Sequence, residues 1–352
     1  MRKILLKTLG VLFCMVVLVY ILYSPRLKFD VLENPNKQAS VKKENVQKTD
    51  APYENKKPDK GIATWIGKDI TSVTKILGQA VRSYPIDNHM KQYIFKAKQA
   101  YYIITTKHKK VKAVYATGEK AQIQPYHIKD SADDIFENTN INLEPTVKHN
   151  GKTYQFELSD EDVKTQALIR YGDIYAQVYI DQVKHEIVAV RFLDAEALVK
   201  LKPYQISGKE GATADVRDDA TQLPHETGKN ELYTLYEVTN ALRHIRGMAP
   251  LKASERLESV ATDNMDAVRQ ENGSFTEHIL KQQLNEARMT YYDVGQTVGY
   301  DFDDVPTVAH SWLNSDVHRS TLLSDQFTIM GGDVSDGYYS LIFINDGDEV
   351  SS

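Results

Sequence analysis

Two short stretches of the 352-residue chain carry side chains whose spacing could do chemistry. The first is His310-Ser311 followed by Ser315-Asp316-Val317-His318 and Ser320, which sets hydroxyls beside imidazoles as a nucleophile and its general base would need. No Gly-x-Ser-x-Gly elbow accompanies them, and such neighbours arise by chance at polar helix ends. The second is the acidic run Asp301, Asp303 and Asp304 ahead of Pro306. It could attract a cation, but carboxylates followed by proline are also ordinary helix-entry chemistry, and that reading is preferred. No His-Glu-x-x-His pair and no phosphate-cradling glycine loop occurs. Cys14 is the only cysteine and lies in an apolar run, which excludes a disulfide framework and a thiolate metal site. A net charge of -5 gives no basic face for nucleic acid.

The elements that must position these groups begin after an N-terminal anchor. Ile4 to Tyr23 is apolar apart from Lys7, Thr8 and Gly10, long enough to cross a bilayer as a helix. Arg2 and Lys3 precede it and Arg26 and Lys28 follow, which favours a cytoplasmic N-terminus. Bulky residues at Tyr20-Ile21-Leu22-Tyr23 argue against a cleavage site. The reading is therefore a cytoplasmic tail at 1–3, a transmembrane helix at 4–23 and everything beyond it outside the cell membrane. Residues 24–60, rich in Lys, Asn, Glu, Asp and Pro, read as a disordered spacer. Residues 61–203 read as a duplicated unit, each copy a short helix followed by strands of period-two alternation with one face covered by the helix. Gly208, Gly211, Pro224 and Gly228 mark a linker at 204–228.

From 229 to 347 the pattern changes. Leu232, Leu235, Tyr236, Val238, Leu242 and Ile245 form one helical stripe, and Leu257, Val260, Ala261, Asn264, Met265 and Val268 form another. Strand candidates follow at Ile329–Val334 and Tyr338–Asn345, so helices on both sides of a small antiparallel sheet are expected.

The order of four motifs in this region carries a resemblance. Asn240-Ala241-Leu242-Arg243 leading to Gly247 and Pro250-Leu251 is one, and Trp312-Leu313-Asn314-Ser315-Asp316-Val317-His318-Arg319 another. Phe327 to Val334 and Tyr338 to Phe343 complete the series. Together they resemble the bacterial CAP superfamily (cysteine-rich secretory, antigen 5, pathogenesis-related 1). The duplicated region is similar to the CAP-associated module that precedes some of these domains. The resemblance implies an α+β chain: a C-terminal α-β-α sandwich, the CAP fold, preceded by a duplicated helix-plus-antiparallel-sheet domain and an N-terminal transmembrane helix.

It also implies a cleft where two histidines and two acidic residues meet and can hold a divalent metal. His318 matches the second family histidine. His278 stands near the first but is displaced by one, since Phe275-Thr276-Glu277-His278 replaces Phe-Ser-His and leaves Glu277 in its place. The family's Gly-Glu-Asn is here Gly295-Gln296-Thr297, and Gln296 can hydrogen-bond but cannot act as a base. Asp316 is the candidate for the second acidic position. Two readings follow. His278, His318, Glu277 and Asp316 could bind a divalent ion such as zinc with an open position. Alternatively, His318 and Arg319 cap helices within the cleft wall and His278 is a loop residue, so that no cofactor is held. The expected function is a non-catalytic binding or scaffolding module at the cell envelope, whose partner is an envelope protein, a polysaccharide or a lipid. A metal-dependent hydrolase acting on an envelope polymer or peptide is the alternative.

Overall fold

A computed structural model describes Met15 and residues 28–37, 55–87, 89–207, 225–270 and 273–346. The expected transmembrane helix at 4–23 lies, apart from Met15, outside the described residues, and none of the helices within them is long and apolar enough to cross a membrane.

The chain opens with a short strand, β1 (Val31–Glu33), and a 3-10 turn at Pro35–Lys37. A second 3-10 turn, Ile62–Trp65, leads to α1 (Ile70–Leu77), whose first turn is capped by the Asp69 carboxylate accepting from the Thr71 N–H. Then come β2 (Arg82–Pro85), β3 (Met90–Ala97), β4 (Ala100–Lys107) and β5 (Lys110–Thr117). Ser131 caps α2 (Ala132–Asn138), and β6 (Thr146–His149) and β7 (Lys152–Glu157) form a hairpin. A Ser159/Asp162 capping box starts α3 (Asp160–Thr165). β8 (Gln166–Tyr171), β9 (Ile174–Asp181), β10 (Glu186–Asp194), α4 (Ala195–Leu201) and β11 (Gln205–Ser207) end this half.

Two three-stranded meanders, β3–β5 and β8–β10, join through the antiparallel β5–β10 pair into one seven-stranded sheet of order β2-β3-β4-β5-β10-β9-β8. The sequence led us to expect one covered face, but both are covered. One face packs under α1, α2 and Trp65. The other presents Tyr84, Ile94, Tyr101, Ile103, Tyr115 and Tyr179 to helices of the C-terminal half. All eight residues of β9 are buried for this reason.

The C-terminal half comprises α5 (His225–Ile245), β12 (Lys252–Ala253), α6 (Glu255–Gln270), α7 (Glu277–Glu286) and β13 (Val294–Tyr300). α8 (Val305–Leu313), α9 (Asp316–Leu322), β14 (Ile329–Ser335) and β15 (Tyr338–Ile344) complete it. Its sheet has the order β1-β13-β15-β14-β12, antiparallel at the centre with a parallel strand at each edge. α6 and α7 cover one face through Leu257, Val260, Leu280 and Leu284. α5, α8 and α9 cover the other, around the fully buried Trp312. The helices come this close because Gly331 and Gly299 lack side chains: a β-carbon at Gly331 would stand 2.5 Å from Leu257 Cβ, and one at Gly299 2.6 Å from Val308 Cγ2. The molecule is thus five layers, α6/α7, sheet, α5/α8/α9, sheet, α1/α2.

Two boundaries differ from the sequence reading. Residues 28–37, assigned to the disordered spacer, are built into both halves. β1 pairs with β13, Asn34 donates to the Asp301 carbonyl, Asn36 donates to Asp162 Oδ1 and the Pro203 carbonyl, and Lys37 closes on Asp301 and Asp303. The segment is polar because its side chains bond to other polar groups, not because it is solvated. The linker assigned to 204–228 is likewise shorter, since Tyr204 is buried with its hydroxyl on the Gln166 carbonyl and β11 pairs with β7.

Charged groups set the register of the seam between the halves. Arg191 on β10 and Asp304, the α8 N-cap, form a buried ion pair. Burial pushes the Asp304 carboxyl up, but Arg191 and the Thr307 N–H outweigh it and hold the group below its ordinary value. Arg319 clasps Asp181 through both guanidinium nitrogens at 2.9 Å, and Arg246 meets the same carboxylate at 2.6 Å. Glu237 on α5 takes Arg82, Lys96 and the Tyr101 hydroxyl, each at 2.7 Å. Asp304→Ala, which strands the buried Arg191 guanidinium, is expected to cost about 3–5 kcal/mol in urea unfolding, and the apolar pair Arg191→Met with Asp304→Leu much less. Glu231, on the seam near Asp304, has its carboxyl raised by burial, and further by Asp304, to about 8. The folded state therefore keeps a proton that the unfolded chain releases near the ordinary value of 4.5, so stability falls as pH rises between those two values. Glu231→Gln is expected to raise the Tm more at pH 8 than at pH 5.

Candidate functional site

The two faces of β13 divide the residues that the sequence grouped together. Gln296 and Val298 point toward α6 and α7: Gln296 Nε2 donates to Asn264 Oδ1 on α6 at 2.9 Å, and Val298 packs with Met265 and Phe275. Gly295 and Gly299 alternate to the opposite side, where β-carbons would meet Thr321 and Val308.

On the α6/α7 face a polar row crosses the core between two apolar clusters. Gln283 on α7 accepts from Asn264 Nδ2 at 2.7 Å, Asn264 accepts from Gln296, and Gln296 also donates to Ser340 Oγ on β15 at 3.1 Å. Asn264 and Ser340 are fully buried and Gln296 nearly so, at 5% exposure. Gln296 Oε1 has no hydrogen-bond partner although it is buried. The row is made of amides and a hydroxyl and carries no titratable group. Asp333 stands opposite Ser340 in register and accepts from Ser335 Oγ, which Arg269 also holds. Such a row can donate and accept hydrogen bonds but cannot exchange protons near neutral pH.

The other site candidates do not join it. His318 lies on the α8/α9 side of the sheet, buried to 3% exposure, and both ring nitrogens are engaged. Nδ1 meets Ser315 Oγ at 2.9 Å and Nε2 meets the Asp30 carbonyl at 3.1 Å. A carbonyl only accepts, so Nε2 carries the proton and Nδ1 accepts from Ser315. Burial lowers the His318 pKa despite the contact with Asp30. The Ser-His contact that the sequence suggested is therefore real at Ser315 and His318, but its imidazole is fixed by the strap formed by residues 28–37 and closes the first turn of α9.

His278 sits in the first turn of α7, on the other side of the sheet, and is exposed. Neither the loop placement nor the shared metal site expected for it holds. A one-residue displacement on a helix turns a side chain by about 100°, so the slip relative to the family spacing is not absorbed. Glu277 pairs instead with Lys281 one turn on, beside the Thr276 N-cap. Asp316 is exposed at the start of α9. Among the described residues no group of three or more His, Cys, Asp or Glu side chains is placed to hold a metal ion. The donors present thus do not fit the divalent ion that the resemblance implied, because the two imidazoles are separated by the sheet and the strap.

His310, the other histidine of the motif region, is buried in the seam. It bonds Tyr115 OH at 2.9 Å and stacks on Tyr179 at 4.2 Å between ring centroids, and burial lowers its pKa to about 3. Asn314 likewise faces the seam, donating to the Ile180 carbonyl and accepting from the Gln182 N–H. Much of the Trp-to-Arg motif therefore docks the N-terminal half. Asn264, Gln283 and Ser340 were not singled out from sequence. Asn264 had a visible signal, a lone amide on an apolar helical stripe; Gln283 and Ser340 had none.

Comparison with known proteins gives the same division of the chain. Residues 66–204 match the family described as CAP-associated N-terminal, and residues 236–343 match the cysteine-rich secretory protein family. The uncharacterized membrane protein YlbC of Bacillus subtilis (strain 168) is 28% identical over 296 residues, 82% of this chain and 84% of that protein. A crystal structure of a cysteine-rich secretory protein from Staphylococcus aureus is 47% identical and superposes with a TM-score of 0.82, covering 91% of this chain and all of that one. An extracellular protein containing an SCP domain from Bacillus anthracis is 25% identical with a TM-score of 0.72, covering 86% of this chain and all of that one. The layered fold, the ordered motifs and these matches together make the chain a member of the CAP family of cysteine-rich secretory proteins, with a CAP-associated N-terminal domain ahead of its CAP domain.

Proposed function

We propose that this is a membrane-anchored, extracytoplasmic CAP-domain protein that binds or scaffolds an envelope partner without catalysing a reaction. The observation that carries the reading is the neutral row Asn264, Gln283, Gln296 and Ser340, in which an amide stands where the family motif has a carboxylate. Amides and hydroxyls recognise uncharged polar groups such as sugar hydroxyls and peptide amides, and Gln296 Oε1, buried without a partner, is an acceptor that a donor reaches only if the α6/α7 face opens. The membrane and extracellular relatives, together with the apolar run at 4–23, support an envelope location on a single-pass anchor. The partner is then an envelope protein, polysaccharide or lipid.

A metal-dependent hydrolase would need His278 and His318 to share an ion. Zinc titration of the full chain near pH 7 is expected to show no stoichiometric uptake. His318→Ala, which removes the bonds to Ser315 and Asp30, should lower the Tm and leave metal content unchanged. One equivalent of zinc, lost in both His278→Ala and His318→Ala, would establish the hydrolase reading instead. For the binding role, immobilised full-length protein is expected to retain envelope material, and Gln296→Leu to weaken retention about 10-fold or more through loss of a buried hydrogen-bonding group. Retention no higher than a blank matrix sinks the proposal.

A further inference from the structure

The strap fixes where the folded part stands relative to the membrane. The apolar run ends at Tyr23, and only five residues later Lys28 is already paired with the CAP domain, three residues before β1 joins its sheet. Lys28 bridges to Thr276, the Phe29 N–H donates to the Phe275 carbonyl at 2.8 Å, and the Asp30 carbonyl takes His318. Five residues at full extension reach no more than about 18 Å. The residues that flank 38–54 are both held by the protein. Lys37 is held by Asp301 and Asp303, while Asn55 donates to the Asn140 and Arg170 carbonyls.

We infer that the surface formed by β1 and the N-terminal turn of α7 rests against the lipid bilayer into which the chain is anchored. The inference rests on the anchor reading above and adds an orientation to it. The partner is argued from chain length and from what surrounds the entry point. Val31 and Val317 are exposed there, at 37% and 54%, and His278 is exposed on α7. Along these elements the positive Lys28 and Lys281 are matched by Asp30, Glu277 and Asp316, with Lys281 paired to Glu277, so they carry no excess of positive charge. The contact is therefore held by the short tether and the strap, not by attraction to anionic headgroups. The α1 helix lies four layers from α7, on the order of 40 Å at about 10 Å per layer.

The test places the full chain, in a Cys14→Ser background, in lipid nanodiscs bearing an energy-acceptor dye on the headgroups. A donor dye is attached through His278→Cys in one sample and through Lys75→Cys on α1 in another. Quenching is expected to be several-fold stronger at position 278 than at 75. It should fall to the level seen at 75 when a flexible Gly-Ser stretch of about 20 residues is inserted between Ser24 and Pro25. Equal quenching at the two positions, or quenching at 278 that the insertion leaves unchanged, overturns the docking. Alkaline washing of the membranes separates the two levels of the argument. A chain that washes off has no anchor, and both readings fall. A retained chain with an unquenched donor at 278 removes the docking alone.

Discussion

A sheet that is apolar on both faces has no stable existence in water until both are covered, and the rest of this molecule follows from that. The N-terminal half covers one face of its seven-stranded sheet with α1 and α2, and part of the other with α4 and the β6/β7/β11 strands; α5 and α8 of the CAP domain cover the aromatic remainder. The halves are therefore joined by a shared core. Within it the ion pair of Arg191 and Asp304 has a directional role, since burial of apolar surface is indifferent to sliding and a desolvated charge is not. The same constraint explains why the Trp-to-Arg motif turns so many polar groups toward the seam: Asn314, Arg319 and His310 are all occupied with strands β5, β9 and the turn that follows β9.

Periodicity made most of the elements legible in the sequence. The stripes of α5 and α6, the strands around Ile103, Val178 and Val190, and the two-part division of the chain all follow from patterns local to each segment. What escaped was non-local. Residues 28–37 have the composition of a solvated tail, and nothing in them announces that Asn34, Asn36 and Lys37 find partners more than a hundred residues away. The linker boundary moved for the same reason, since Tyr204 is buried by strands that a linear reading does not bring to it. For the site, Gln296 was legible as a departure from the family motif, and so was the unusual spacing of His278. Which face each side chain occupies was not, because that depends on α7 starting at Glu277 and on the alternation of β13.

The polar row and His318 show two ways of holding polar groups in a core. Asn264, Gln296 and Ser340 satisfy one another in series and leave a single acceptor over, so the row is nearly self-sufficient and its remaining capacity is for one donor. His318 is satisfied by Ser315 and by a backbone carbonyl from the far end of the sequence, and burial disfavours its charged form. The first arrangement leaves one acceptor unsatisfied; the second spends its whole bonding capacity on architecture.

The pairing of β1 with β13 also bears on how the protein is made. Val31 and its partner Val298 stand at opposite ends of the message, so the ribosome delivers one long before the other. At 5–20 residues per second the interval is on the order of ten seconds to a minute. Throughout it, β1 waits with its hydrogen-bonding edge unsatisfied, and the seven-stranded sheet waits for α5 and α8 to cover the rest of its aromatic face. The nascent chain is thus sealed only when its last strands arrive, and that final step closes the strap and the seam together.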